Sequence, residues 1–120
     1  MSRLDRAMHD AREHFAVDEV PVVCVLGREA EGRRRRLVVL TDRRLLVVGR
    51  GTEPLIELSA DLTRPAYDLT DGTLRLEDPE RTVTVREVEP GPATLLADLL
   101  SWRRGAPAAP ARRLTMVAAG

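Results

Sequence analysis

The residues best equipped for chemistry in this chain are arginines. Arg28 closes an apolar run, and Arg33, Arg34, Arg35 and Arg36 follow directly after the polar loop GREAEG, which has a glycine at each end. A guanidinium group is a planar, permanently charged fork of donors, so several converging on one loop would clamp a phosphate or an anionic headgroup bidentately. The competing reading is a solvated basic loop with Glu29 and Glu31 as local partners. All nineteen basic residues are Arg, and the chain has no Lys, Asn or Gln. Codon bias in a GC-rich genome explains that preponderance without invoking function. A second pair, Arg43 and Arg44, sits in the tetrapeptide Thr41-Asp42-Arg43-Arg44, where a structural role is expected: pairing with Asp42 or a nearby carboxylate and fixing a turn.

The inventory for catalysis is thin. His9 and His14 are five residues apart on one helical segment and diverge by roughly 140°, so they do not share a metal readily. Asp10 and His14, at i and i+4, share a face in the manner of a surface pair. The single cysteine, Cys24, lies within an apolar run, so an intrachain disulfide is excluded and a buried inert thiol suited to a reducing cytoplasm is expected. The chain carries no glycine-rich phosphate loop, nucleophile elbow or metal-ligand cluster. The sequence therefore reads as non-enzymatic, with no catalytic residue, metal or cofactor.

Charge is unevenly spread. Residues Gly27 to Arg50 hold eight Arg and three acids, while Glu53 to Asp98 hold four Arg and eleven acids, a dipole within a chain of zero formal net charge. Partners docking at one pole, or copies assembling head to tail, would both exploit it. Single-stranded nucleic acid wants stacking aromatics beside its basic groups. Tyr67 and Trp102 are remote from the arginine run and the pI is near 6.7, which argues against nucleic acid.

The elements that must position these groups follow from the pattern. At 120 residues the chain is one domain with an aliphatic core, since aromatics are only 2%. The longest uncharged apolar stretch, Val20 to Leu26, falls far short of the roughly 20 residues a membrane-spanning helix needs, and residues 1–14 contain no apolar leader, so a cytoplasmic protein without a transmembrane segment is expected. Ser2 to Phe15 reads as an amphipathic helix with Leu4, Met8, Ala11 and Phe15 in its stripe, capped by Ser2 and Asp5. It should pack on the rest of the domain or on a second copy. Three Arg against five acids in residues 1–19 argue against lipid contact by that segment.

Val20 to Leu26 is strand one. The centre of the chain is LVVLTDRRLLVVG, Leu37 to Gly49, where two apolar runs flank four polar residues and spell a tight β-hairpin whose strands are apolar on both faces. Asp42 is the residue expected to cap that turn. A Gly/Pro loop over 50–54 leads to a short strand at Leu55 to Leu58. Pro65 confines the strand within Leu62 to Leu69 to an edge or a bulge. Asp71-Gly72 then turns into a strand at Thr73 to Glu77, and Arg81 to Val88 completes a three-stranded meander. Pro92 opens a helix running to about Arg104 with Gly105 as its cap, and residues 105–120 form an Ala/Pro-rich tail.

Seven short strands closed by a C-terminal helix resemble the pleckstrin homology (PH) superfold. More narrowly, LVVLTDRRLLVV followed by LIELS looks like strands two to four of the short bacterial PH-like domains, in which a strand ends in Leu-Thr and the next begins at Arg-Leu after a basic turn. Trp102 resembles the tryptophan that eukaryotic PH domains keep in this helix for packing. The resemblance implies an α+β, PH-like roll over residues 20–104, with an extra N-terminal helix over 1–19. It also implies a basic rim at the end of strand one and the start of strand two. Arg28, Arg33, Arg34, Arg35 and Arg36 occupy those places, and Arg28, Arg34 and Arg36 fit the family's loose basic pattern. Arg43 and Arg44 would lie at the opposite end. Two functions are expected from this reading. The first is a binding or scaffolding module for a protein partner, including self-association, through sheet edges, the N-terminal helix or the charged poles. The second is peripheral recognition of an anionic lipid headgroup or phosphate by the arginine rim.

Overall fold

Ser2 opens the first helix, α1 (Arg3–Ala11), through a reciprocal capping box: Asp5 N donates to Ser2 Oγ at 3.0 Å, and Ser2 N donates to Asp5 Oδ2 at 3.4 Å. The computed structural model describes residues 2–49 and 55–103. The loop over 50–54 and the cap and tail expected from 104 onward, Gly105 included, lie outside the described residues. The helix is shorter than its stripe implies, because Arg12–His14 tightens into a 3-10 turn and Phe15 is extended.

Seven strands follow: β1 (Pro21–Glu29), β2 (Arg35–Thr41), β3 (Leu45–Val48), β4 (Ile56–Leu58), β5 (Arg64–Asp68), β6 (Thr73–Glu77) and β7 (Thr82–Arg86). They form one antiparallel sheet in the order β4-β3-β2-β1-β7-β6-β5. With α1 and the C-terminal helix α2 (Pro90–Arg103), this is an α+β arrangement consistent with a PH-like roll. β1 joins the two halves. It pairs with β2 along its length but with β7 only through Arg28 and Glu29. The sheet can therefore curl, and one inner core gathers Val25, Val38, Leu45 and Leu58 from one half with Leu74, Leu76 and Val85 from the other, closed by Ala93, Leu96 and Leu100 of α2.

The central hairpin is buried on both of its faces, as its unbroken apolar runs require. Val38, Leu40, Leu45 and Val47 face the inner core. Leu37, Val39, Leu46 and Val48 face outward into a second cluster, roofed by Ala7, Met8 and Ala11 of α1 and by Phe15. The N-terminal helix thus packs on the outer face of its own sheet. Pro65 lies on β5, which pairs only with β6 and is an edge strand as expected. At Asp71-Gly72, Gly72 takes φ +71°, the left-handed conformation for which glycine is suited.

Several local expectations change. Gly27 is in strand rather than loop: a Cβ there would meet Val85 Cγ1 at 2.3 Å and Arg86 O at 2.6 Å, so only glycine lets β7 cross so close to β1. The hairpin turn is capped by Thr41, whose Oγ1 accepts from the N–H groups of Arg43 at 3.1 Å and Arg44 at 3.0 Å. Asp42 instead anchors the chain before β1, accepting from Val20 N at 3.0 Å. α2 begins at Pro90, two residues before Pro92, because the first helical turn has no use for the donors that both prolines lack. Trp102 does not pack in the core, being 74% exposed on the outer side of α2.

Candidate functional site

The register of β1 against β2 decides where the arginines go. Arg28 is opposite Arg35, and Gly27 is opposite Arg36. Opposed residues share a face and successive ones alternate, so Arg28 and Arg35 lie on the outer face with Leu26 and Leu37, whereas Arg36 lies on the inner side. There Arg36 Nη2 donates to Glu29 Oε2 at 3.2 Å. The spacing of Arg28, Arg34 and Arg36 therefore does not put three guanidinium groups on one face. Arg35 and Arg36 are already in strand, and strand alternation separates them.

A cleft of about 710 Å³ opens at the outer rim, lined by Arg3, Arg6, Arg28, Glu29, Arg33, Arg34 and Arg35. Four of the five expected arginines meet there, and Arg36 is not among the lining residues. Two that were not expected join them: Arg3 and Arg6, from the first turn of α1. Counting charge over the whole N-terminal segment hid these two. Their spacing of three along a helix was the available signal, since it places both on one side at one end of the element.

The loop between β1 and β2 is held from beneath. Arg28 Nη1 donates to Arg33 O at 2.5 Å, Arg86 Nε donates to Glu29 O at 2.9 Å, and Arg86 also donates to Gly32 O. Glu29 N donates to Arg34 O at 2.9 Å, closing the loop. Glu87 supplies a carboxylate from behind, its Oε1 accepting from Arg28 Nε at 3.3 Å and its Oε2 lying 3.7 Å from Arg86 Nη1. Glu87 does so at φ 57°, the one non-glycine residue described in the left-handed region. Arg28 and Arg86 are thus structural cations that shape the rim. Arg3, Arg6 and Arg33 reach it with no carboxylate partner among the described residues. Six guanidinium groups and one carboxylate line the cleft, and even with Arg28 paired to Glu87 the excess of cations makes it a positive focus.

A different set of charges occupies the turn end of the hairpin. Glu19, with no exposed side-chain surface, accepts from Arg44 through both oxygens at 2.9 Å, from Thr41 Oγ1 at 2.6 Å and from Ala16 N at 2.9 Å. Arg44 also donates to His14 O at 2.8 Å and to Glu57 Oε1 at 3.3 Å, while Arg43 pairs with Asp18 at 2.5 Å. The Arg44 hydrogen bonds, helped by Thr41 and Ala16 and opposed by burial, pull the Glu19 carboxyl down from 4.5 to about 2. Both carboxylate oxygens of Glu19 are satisfied, so this box ties the turn to the segment preceding β1. Nothing in the local sequence marks Glu19 as a buried acid.

The remaining candidates do not assemble. Cys24 lies under α1 with its Sγ 3.1 Å from Met8 Sδ, and burial pushes its thiol up. His14 stands 4.0 Å from its neighbour Glu13. Among the described residues, no three His, Cys, Asp or Glu side chains are placed to hold a metal ion, and no helix is long and apolar enough to cross a membrane. No protein-family model, curated protein or solved structure matches this chain.

Proposed function

We propose that this chain is a non-enzymatic, PH-like binding module whose arginine cleft receives a phosphate-bearing anion, carried on a lipid headgroup or on a soluble molecule. The observation that carries the reading is the convergence of Arg3, Arg6 and Arg33 on one cleft without carboxylate partners among the described residues. Leaving several cations together is unfavourable by mutual repulsion, and an anion seated among them reverses that sign. The loop is already closed by Arg28 and Arg86, so little ordering has to accompany binding.

Two titrations test it. Flotation with vesicles of phosphatidylcholine and phosphatidylglycerol reads the lipid source, and calorimetry with inorganic pyrophosphate reads the soluble one. Binding in either arm should weaken with salt and be lost in Arg33→Ala combined with Arg35→Ala. Failure of the wild-type chain to bind both probes at low salt refutes the reading.

A second reading, contact with a protein or another copy, is favoured by α2. Leu95 and Trp102, seven residues apart and so on one side of the helix, are 50% and 74% exposed. Light scattering after size exclusion tests self-association, and a strict monomer over a wide concentration range removes it.

A further inference from the structure

α1 forms one wall of the arginine cleft, and this wall is the less firmly attached one. The helix has nine residues, too few to be stable apart from the sheet. Its attachment is concentrated in its second half, where Ala7 and Met8 pack on the outer cluster and Ala11 is fully buried. In the first turn Arg3, Asp5 and Arg6 are exposed, as is Leu4 at 39%. Among the described residues, the direct bond from that turn to the sheet is a long one, Arg35 Nη1 donating to Arg3 O at 3.4 Å. Arg3 and Arg6 line the cleft together with Arg33 and Arg35, none of which has a carboxylate partner among the described residues, so the charges that α1 and the sheet bring there repel.

We infer that an anion in the cleft clamps α1 to the sheet, so that cleft occupancy and docking of the N-terminal helix are thermodynamically linked. The inference rests on the anion-binding reading of the cleft. An oxyanion that accepts from Arg3 or Arg6 on one side and from Arg33 or Arg35 on the other replaces repulsion by a bridge, at the end of the helix where apolar contact is weakest. Because linkage is reciprocal, the factor by which the anion favours docking is also the factor by which affinity falls once α1 is undocked. An undocked α1 would uncover Leu37, Val39, Leu46 and Val48, an apolar face otherwise buried in the outer cluster. The anion therefore also controls how often that face meets solvent or a partner.

Cys24 reports on this from beside the cleft: it does not line the cleft itself but lines an adjoining pocket that shares Arg3, Arg28 and Arg35 with it. It is half-buried beneath Met8, so its thiol becomes more reachable when α1 lifts. The experiment follows the rate at which the full chain reacts with a chromogenic disulfide reagent, with saturating inorganic pyrophosphate or with sodium chloride at matched ionic strength. Calorimetry measures pyrophosphate binding in parallel. Pyrophosphate should slow the thiol reaction about fivefold or more, and Arg3→Ala combined with Arg6→Ala should abolish the protection even at saturation. Ala11→Gly, outside the cleft and at the buried end of α1, should speed the reaction and, to the extent that it populates the undocked helix, weaken pyrophosphate affinity. Pyrophosphate that binds yet leaves the thiol rate at its chloride value overturns the clamp while leaving the cleft intact. Absence of binding overturns the cleft reading and the clamp with it.

Discussion

Replacing Glu19 by Gln removes one charge from a buried, fully bonded box and leaves its shape almost unchanged. The folded-state carboxyl titrates at about 2 against an ordinary 4.5, and each unit of such a difference corresponds to about 1.4 kcal/mol. That sets a ceiling of about 3 kcal/mol, and solvent reaching Arg44, whose side chain is 26% exposed, lowers it to about 2 kcal/mol. Glu19→Gln should therefore lose about 2 kcal/mol at neutral pH and melt roughly 10 °C lower, given the size of the domain. The sign of the pH dependence is fixed by the direction of the shift. A carboxyl lowered on folding contributes fully above its unfolded value and loses that contribution as pH falls through the folded one. The gap between wild type and variant should hold at neutral pH, shrink below 4.5 and nearly close at about 2. Urea denaturation of both proteins across that window measures it, since the other acids contribute equally to each. A variant within about 0.5 kcal/mol of wild type at neutral pH, or a gap that ignores pH, refutes the account of the box.

Two further substitutions probe the fold. Gly27→Ala places a methyl 2.3 Å from Val85 Cγ1 and 2.6 Å from a backbone oxygen, and should cost about 2 kcal/mol or more in a denaturant titration. Trp102→Ala should change stability by no more than about 0.5 kcal/mol, because the ring is 74% exposed; a large loss on melting would show that it packs after all.

Much of the architecture was legible because local signals and tertiary demands coincide. Asp71-Gly72 needed a left-handed residue and has one, Pro65 could not donate to a neighbour and lies at an edge, and the double-apolar hairpin needed cover on both faces. The site was legible only in part. Strand alternation, applied from Arg35 onward, would have separated Arg36 from Arg35. The approach of Arg3 and Arg6 to the rim depends on where α1 docks, which no local pattern encodes. Trp102 misled for a related reason: α2 is apolar around much of its circumference, so its periodicity does not say which apolar residues face inward. Glu19 carries no signal at all, because its burial follows from the approach of Arg44 and Thr41 from a distant turn.

The hairpin buried on both faces has a consequence for how the chain finds its pairing. In a sheet with one wet face, slipping by a single residue turns every apolar side chain into water, and that penalty enforces correct alignment. Here a slip of β2 against its neighbours would exchange one aliphatic face for another, Leu37 and Val39 for Val38 and Leu40, and the hydrophobic effect would barely distinguish the outcomes. Discrimination must come from groups that tolerate no substitute. Thr41, Glu19 and Arg44 are such groups, since a shift by one position would strand a buried carboxylate without its guanidinium. The charged box at the turn thus serves the hairpin as a molecular vernier, selecting one alignment among several that are nearly equal in burial.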